Sequence, residues 1–228
     1  MSVYPEIRRY PDRAALAEGL ADVVAAELSA AIAERGVATL AVPGGTTPGP
    51  FLAALAARPV AWSATRVMLT DERFVPETSD RSNTRLLRET FLAGAPDARL
   101  LPLTAEAERP EDVLDLLSAG IGEALPIDSL VLGMGTDMHT ASLFPGADRL
   151  ADALAPGAPV LLPMRAPGAG EPRLTLTARV LTGARHRHLL ITGAEKRVAL
   201  DAAWAETDVT QAPVKALLYV GIEVHHAD

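Results

Sequence analysis

Asp137 and His139 lie one residue apart in Gly133-Met134-Gly135-Thr136-Asp137-Met138-His139, directly after the apolar run Asp128 to Leu132. Residues two apart in an extended stretch project to the same side, so a carboxylate and an imidazole are expected to meet at the end of a buried strand. The carboxylate fixes the tautomer of the imidazole and raises its basicity. Such a pair is the equipment of a general base, worth on the order of 10²–10⁴ in rate when aimed at water or a substrate proton. The structural alternative is an aspartate that caps the next helix and a histidine satisfied by a backbone carbonyl. Gly133, Gly135 and the succeeding Thr140-Ala141-Ser142 favour a site.

Two further segments carry groups that suit an anionic ligand. In Pro43-Gly44-Gly45-Thr46-Thr47-Pro48 the paired glycines let a backbone approach a ligand, the threonines offer hydroxyls and a helix cap, and Pro48 fits a first helical turn. Amides at a helix N-terminus favour an anion, although the same loop also reads as a plain strand-to-helix turn. It lacks the spacing and lysine of a Walker loop, and it is not G-x-G-x-x-G. Asp71-Glu72-Arg73 sets three charges after an apolar strand, where Arg73 meets a phosphate or other ligand oxygen and the acids orient it, or where all three form a salt-bridged surface turn. Ser82-Asn83 reads as a helix cap. Arg173 and Lys196 each stand near a turn and a helix start, as solvated cations or as the local positive charge that a phosphorylated ligand needs.

Other candidates carry less. Gathering Asp71, Asp137 and His139 around a metal finds no ligand spacing of the H-x-x-x-H kind to support it, so no metal and no cofactor is expected. His186, His188, His225 and His226 are expected to be surface or terminal side chains. Trp62 and Trp204 are assigned to packing.

The elements that must position these residues alternate in type. Val37 to Val42, Arg66 to Thr70, Asp128 to Leu132, His188 to Thr192 and Leu217 to Val220 read as short strands apolar on both faces, the pattern of a covered parallel sheet. Asp12 to Arg35, Pro48 to Ala57, Asn83 to Leu92, Arg109 to Ala124 and Ala194 to Ala205 read as helices, the first with Leu16, Leu20, Val23, Val24, Leu28 and Ile32 on one stripe. Val160 to Met164 is apolar enough to pair as an extra strand inside a Pro- and Gly-rich excursion. The alternation predicts one α/β domain over residues 1–228, doubly wound, mostly parallel, with helices on both faces. Open sheets of this kind bind ligands beyond the carboxyl ends of their strands, where the Gly-rich, Asp71-Glu72-Arg73 and Asp137–His139 segments all fall.

Composition narrows the partners. With 228 residues, 49% hydrophobic, and 21 basic against 29 acidic side chains for a formal charge of -8, the chain has ample apolar material for a core and no concentrated basic face for a nucleic-acid backbone. The absence of cysteine excludes a disulfide framework, a thiolate metal site and a cysteine nucleophile. No signal-peptide core or long apolar stretch is seen, so a cytoplasmic, membrane-free protein is expected.

Four blocks together resemble the 6-phosphogluconolactonase branch of the glucosamine-6-phosphate isomerase/6-phosphogluconolactonase family. They are Val42 to Pro48; Asp71 to Pro76 with Ser82-Asn83; Gly133 to Gly146; and Pro172 to Thr177 with Gly193 to Lys196. They run in the family's order across most of the chain. The resemblance implies the fold of glucosamine-6-phosphate deaminase and metal-independent opening of 6-phospho-D-glucono-1,5-lactone in the oxidative pentose phosphate pathway, with a phosphorylated sugar lactone as the small-molecule partner. It implies His139 as the base, Asp137 as its partner and Arg73 as a cation at the substrate. Gly44, Gly45, Thr46, Asp71, Arg173 and Lys196 are implied as substrate or phosphate contacts. Leu143-Phe144-Pro145 stands where the deaminases carry an acid, which favours the lactonase over a sugar-phosphate isomerase or deaminase. Met138 stands where the family usually has glycine, which would strain the loop if positive φ is required, and keeps a non-catalytic sugar-phosphate sensor as a further alternative.

Overall fold

The computed structural model describes residues 4–228. Ten strands occur among them: β1 Ile7–Arg9, β2 Ala38–Val42, β3 Thr65–Leu69, β4 Asp71–Arg73, β5 Arg99–Leu100, β6 Ser129–Leu132, β7 Leu161–Met164, β8 Arg173–Leu176, β9 His186–Thr192 and β10 Glu223–Ala227. Seven of these form one parallel sheet in the order β1-β10-β9-β6-β2-β3-β5. The remaining three form a small antiparallel sheet, β4-β8-β7. Val160 to Met164 therefore does pair, as β7, in a sheet that no single run of sequence announces.

The helices are α1 Arg13–Arg35, α2 Gly49–Ala56, α3 Asn83–Leu87, α4 Leu114–Gly122, α5 Leu150–Leu154, α6 Ala178–Thr182, α7 Ala194–Ala205 and α8 Lys215–Leu218. Helix α1 begins where the Asp12 side chain accepts a hydrogen bond from the Ala15 amide at 2.8 Å and stops at Gly36, whose φ of 75° no β-carbon opposes. Its stripe of Leu16, Leu20, Val24 and Leu28 is fully buried. Parallel β-α-β connections are right-handed, so α1 and α2, which carry the chain from β1 to β2 and from β2 to β3, share a face and pack on each other. The α7 crossover, from β9 to β10, runs the opposite way along the sheet and so covers the other face. All of β2 and β6 is buried, as a sheet covered on both sides requires. The buried apolar side chains of both sheets make one continuous cluster. Among the described residues no helix is long and apolar enough to cross a membrane.

One expected strand is wrong. Leu217 and Leu218 close the short helix α8 and Tyr219-Val220 turn out of it, while the strand is Glu223–Ala227. Periodicity cannot separate a strand from a buried helical turn in a four-residue apolar run. The true strand reads as polar because its histidines find partners indoors: His225 is 0% and His226 8% exposed. His188 is buried too, so the expectation of surface histidines holds only for the exposed His186.

Candidate active site

The chain runs outward from β2 to β3 on one side, and β6 takes the other flank of β2. The crevice outside the carboxyl ends of β2 and β6 is thus the switch point of the sheet. A cleft of about 250 Å³ opens there, lined by Gly44, Gly45, Thr47, Asp71, Arg73, Asn83, Gly135, His139, Phe144, Arg173 and Lys196 among others.

The loop after β6 is built around His139. The Gly135 amide donates to the His139 carbonyl at 2.9 Å, the Met138 amide to the Gly135 carbonyl at 3.1 Å, and the Thr140 hydroxyl to the Gly133 carbonyl at 2.8 Å. This tight turn sets His139 Nδ1 2.5 Å from Asp137 Oδ1. A β-carbon on Gly135 would lie 2.1 Å from that oxygen and 2.2 Å from that nitrogen, so only glycine fits. The hydrogen bond from His139 is the main reason the Asp137 carboxyl sits below the usual carboxylate range, against the opposing effect of its partial burial. An ionised carboxylate only accepts; Nδ1 therefore carries the proton and Nε2 is left as the base. The ring packs on Phe144, with centroids 4.2 Å apart.

Backbone strain marks the same loop. Among the described residues only Met138 (φ 65°) and Ala141 (φ 49°) occupy the left-handed region without being glycine, and they flank His139. Each costs on the order of 1–3 kcal/mol, a cost that surrounding structure must enforce. Part of that enforcement is the Met138 carbonyl, which accepts from the Val214 amide at 3.1 Å. Methionine thus adopts the conformation for which glycine is the usual choice.

The cations come from the small sheet and from α7. Strands β4 and β8 place Arg73 directly opposite Arg173. Like charges facing each other across a strand pair are destabilising, and an anion between them relieves this. Arg73 donates from Nη1 to the Arg81 carbonyl at 2.7 Å and Arg173 from Nη2 to the Ala169 carbonyl at 3.2 Å, but the Nε of each is buried without a partner. Burial lowers the Arg173 pKa, with Asp71 opposing and Arg73 reinforcing the shift. Lys196 stands in the first turn of α7 and none of the described residues pairs with it.

Two acids hold this arrangement. Asp71 accepts from the Ser142 hydroxyl at 2.5 Å and lies 3.9 Å from Arg173 Nη1, joining the His139 loop to the arginine sheet. Its charge opposes a phosphate, so the geometry makes it a positioning group. Glu72, 1% exposed, accepts from the amides of Arg73 (2.7 Å), Asn83 (2.8 Å) and Thr84 (2.6 Å) and from the Thr84 hydroxyl (2.6 Å). Ser82 caps α3 through the Arg85 amide, as its residue type predicts. Its neighbour Asn83, read from sequence only as part of that cap, lines the cleft instead. The Asn83 Nδ2 donates to the Asp71 carbonyl at 3.1 Å and its Oδ1 is buried with no donor, a place for a ligand hydroxyl. A β-carbon on Gly44 would meet that amide at 2.0 Å.

The structure therefore brings together His139, Asp137, Arg73, Gly44, Gly45, Asp71, Arg173 and Lys196. Thr46 does not line this cleft; it borders an adjoining cavity of about 240 Å³ with Arg13, and Thr47 occupies the cleft wall. Neither threonine side chain caps α2, whose N-cap is Pro48. Asp71 does not come within ligating reach of Asp137 and His139; the one such group of three among the described residues lies elsewhere.

The family described as glucosamine-6-phosphate isomerases/6-phosphogluconolactonase matches residues 11–224. The chain belongs to that family. It is 48% identical over 214 residues to a 6-phosphogluconolactonase of Rhizobium meliloti (strain 1021), covering 92% of this chain and 91% of the relative. A crystal structure of a 6-phosphogluconolactonase from Shewanella baltica OS155 superposes with a TM-score of 0.96 at 30% identity over 100% of both chains. A monomeric glucosamine-6-phosphate deaminase of the NagB superfamily superposes with a TM-score of 0.82 at 16% identity, covering 97% of this chain and 96% of that one, which shows a shared fold. The doubly wound reading of the sequence is thereby borne out.

Proposed function

We propose that the protein, acting as one α/β domain, hydrolyses 6-phospho-D-glucono-1,5-lactone to 6-phospho-D-gluconate. The observation that carries this reading is an imidazole steered by an ionised aspartate, opening onto a cleft with three cations that lack a full set of partners. The lactone is a phosphate ester and a cyclic ester at once, and the cleft offers groups for each end.

In this mechanism His139 Nε2 takes a proton from water as the water oxygen bonds to the lactone carbonyl carbon. Negative charge moves to the carbonyl oxygen, where Arg73 stabilises it. The tetrahedral intermediate then expels the ring oxygen, breaking the ester bond, and the imidazolium returns its proton to that oxygen. The product acid releases its proton to solvent. No covalent bond to the enzyme forms. Asp137 holds the tautomer throughout and stabilises the transient imidazolium. Arg173 and Lys196, with the Gly44-Gly45 backbone and Thr47 of that loop, hold the phosphate. Phe144, packed at a tilt against the imidazole and under Arg173 at 5.6 Å, keeps water from that side of the ring. The site is proposed to work without metal or cofactor, and the protein to act in the cytoplasm on a small phosphorylated sugar.

The test generates the lactone in place from glucose 6-phosphate and follows its decay with and without protein. Decay well above the spontaneous rate, much weaker on the unphosphorylated lactone, is expected. Decay at the blank rate, or release of ammonia from glucosamine 6-phosphate, would overturn the assignment.

A further inference from the structure

A second imidazole cluster lies away from the cleft. In β9 and β10, His188 is paired in register with Glu223, and His225 follows two residues on, so all three project from one face of the sheet. His188 Nδ1 and His225 Nε2 are 3.1 Å apart. Glu223 Oε2 is 3.9 Å from the former and Glu223 Oε1 3.9 Å from the latter. Two nitrogens bound to one tetrahedral zinc, at about 2.0–2.1 Å each, are separated by about 3.3 Å. The three side chains thus hold the spacing of a His₂–carboxylate set.

Their outer partners point the same way. The remaining nitrogen of His188, Nε2, is 3.0 Å from Glu27 Oε1, and the remaining nitrogen of His225, Nδ1, is 2.9 Å from the Tyr10 hydroxyl. Metal-ligating histidines characteristically have the distal nitrogen fixed by a carboxylate, carbonyl or other polar group, which sets ring orientation and tautomer. Glu27 is itself held by the Ser129 hydroxyl at 2.7 Å. His188 and His225 are 2% and 0% exposed, while the Glu223 side chain, 26% exposed, provides the way in from solvent. Two carboxylates, Glu223 in the set and Glu27 behind it, match the charge of a divalent ion; Arg8, 2.9 Å from Glu223 Oε1, is the cation that it must displace.

We infer that His188, His225 and Glu223 form a binding site for a divalent cation of the zinc class, distinct from the catalytic cleft. The ion takes the place of the hydrogen between the two imidazoles, that proton moving to His225 Nδ1, which then donates to the Tyr10 hydroxyl oxygen, and it ties β10 to β9. It has no part in lactone opening, and it departs from the sequence reading of these histidines.

Without an ion the same side chains form a closed hydrogen-bonded chain, Tyr10 to His225 to His188 to Glu27, of which Glu223 is not a member. That difference supplies the test. The full chain, carrying His139→Ala to silence the Asp137–His139 pair, is stripped with chelator and dialysed against zinc chloride. One zinc per chain is expected, with a higher Tm and shifted ¹⁵N resonances of His188 and His225. Adding Glu223→Gln, which spares the hydrogen-bonded chain, weakens binding by at least about 100-fold, beyond the range for loss of an outer partner. Adding Tyr10→Phe weakens it by about 10-fold. Absence of stoichiometric zinc in the His139→Ala chain, or undiminished binding after Glu223→Gln, would overturn the site and leave a purely hydrogen-bonded network.

Discussion

His139 and His188 each end in a carboxylate hydrogen bond, yet their surroundings give them opposite capacities. His139 sits on a strained loop at the carboxyl end of a strand, uses one nitrogen for Asp137 and keeps the other for the cleft. His188 sits within a strand, and both of its nitrogens are engaged, one by Glu27 and one by His225. A strand interior fixes a side chain through its register; a loop beyond the strand leaves one edge of the ring free for chemistry. The difference shows why strain is tolerated in one place and absent in the other: Met138 and Ala141 are bent to deliver a reactive ring.

The largest expected effect comes from closing the space that the catalytic pair needs. Gly135→Ala puts a β-carbon on the Asp137–His139 contact, so kcat should fall by about 10²–10⁴, as for loss of a general base, while far-UV circular dichroism is unchanged. Normal turnover in that variant would mean that the pair is not the working unit.

Next are the cations. Arg173→Ala and Lys196→Ala should each raise KM for the phosphorylated lactone, with kcat changed far less. A charge-assisted contact of about 1.5–3 kcal/mol corresponds to about 10- to 150-fold. Steady-state kinetics on phosphorylated and unphosphorylated lactones check this; an equal loss on both would remove these residues from phosphate binding.

The buried cluster answers to acid instead. The unfolded chain protonates His225 near pH 6.5 whereas the folded chain resists until about pH 3. The stability associated with this group is therefore complete above about pH 6.5 and lost as pH falls below it. Urea unfolding in chelator from pH 7.5 to 4.5 should show this decline, with a shallower slope for His225→Gln. An identical slope in the variant would place the acid sensitivity elsewhere.

The smallest effect is expected at Met138. Replacing it by glycine relieves about 1–2 kcal/mol of left-handed strain but loses methionine packing and adds unfolded-chain entropy. Stability should move by less than about 1 kcal/mol and turnover should stay level. A large gain in kcat would show that methionine narrows the cleft.

Much of this site was legible because its chemistry is local. Asp137-Met138-His139 and Gly44-Gly45 each occupy one loop at a strand end, Asp71-Glu72-Arg73 follows β3 directly as the short strand β4, and apolar runs located β2, β3, β6 and β9. What escaped depends on pairing between distant segments. Glu72 grips Thr84 twelve residues away, Asn83 joins the cleft through Gly44, and His188 meets His225 only because β9 and β10 align in register. Strand β10 hid for the same reason: Glu-Val-His-His-Ala looks solvated until Tyr10 and His188 of β9 are known as its partners.

The central claim, that His139 is the base, is tested most directly by measuring kcat and KM of His139→Ala on lactone generated in place, corrected for spontaneous opening. The account predicts a fall in kcat of about 10²–10⁴ with KM little moved. Turnover equal to that of the unaltered protein would contradict it.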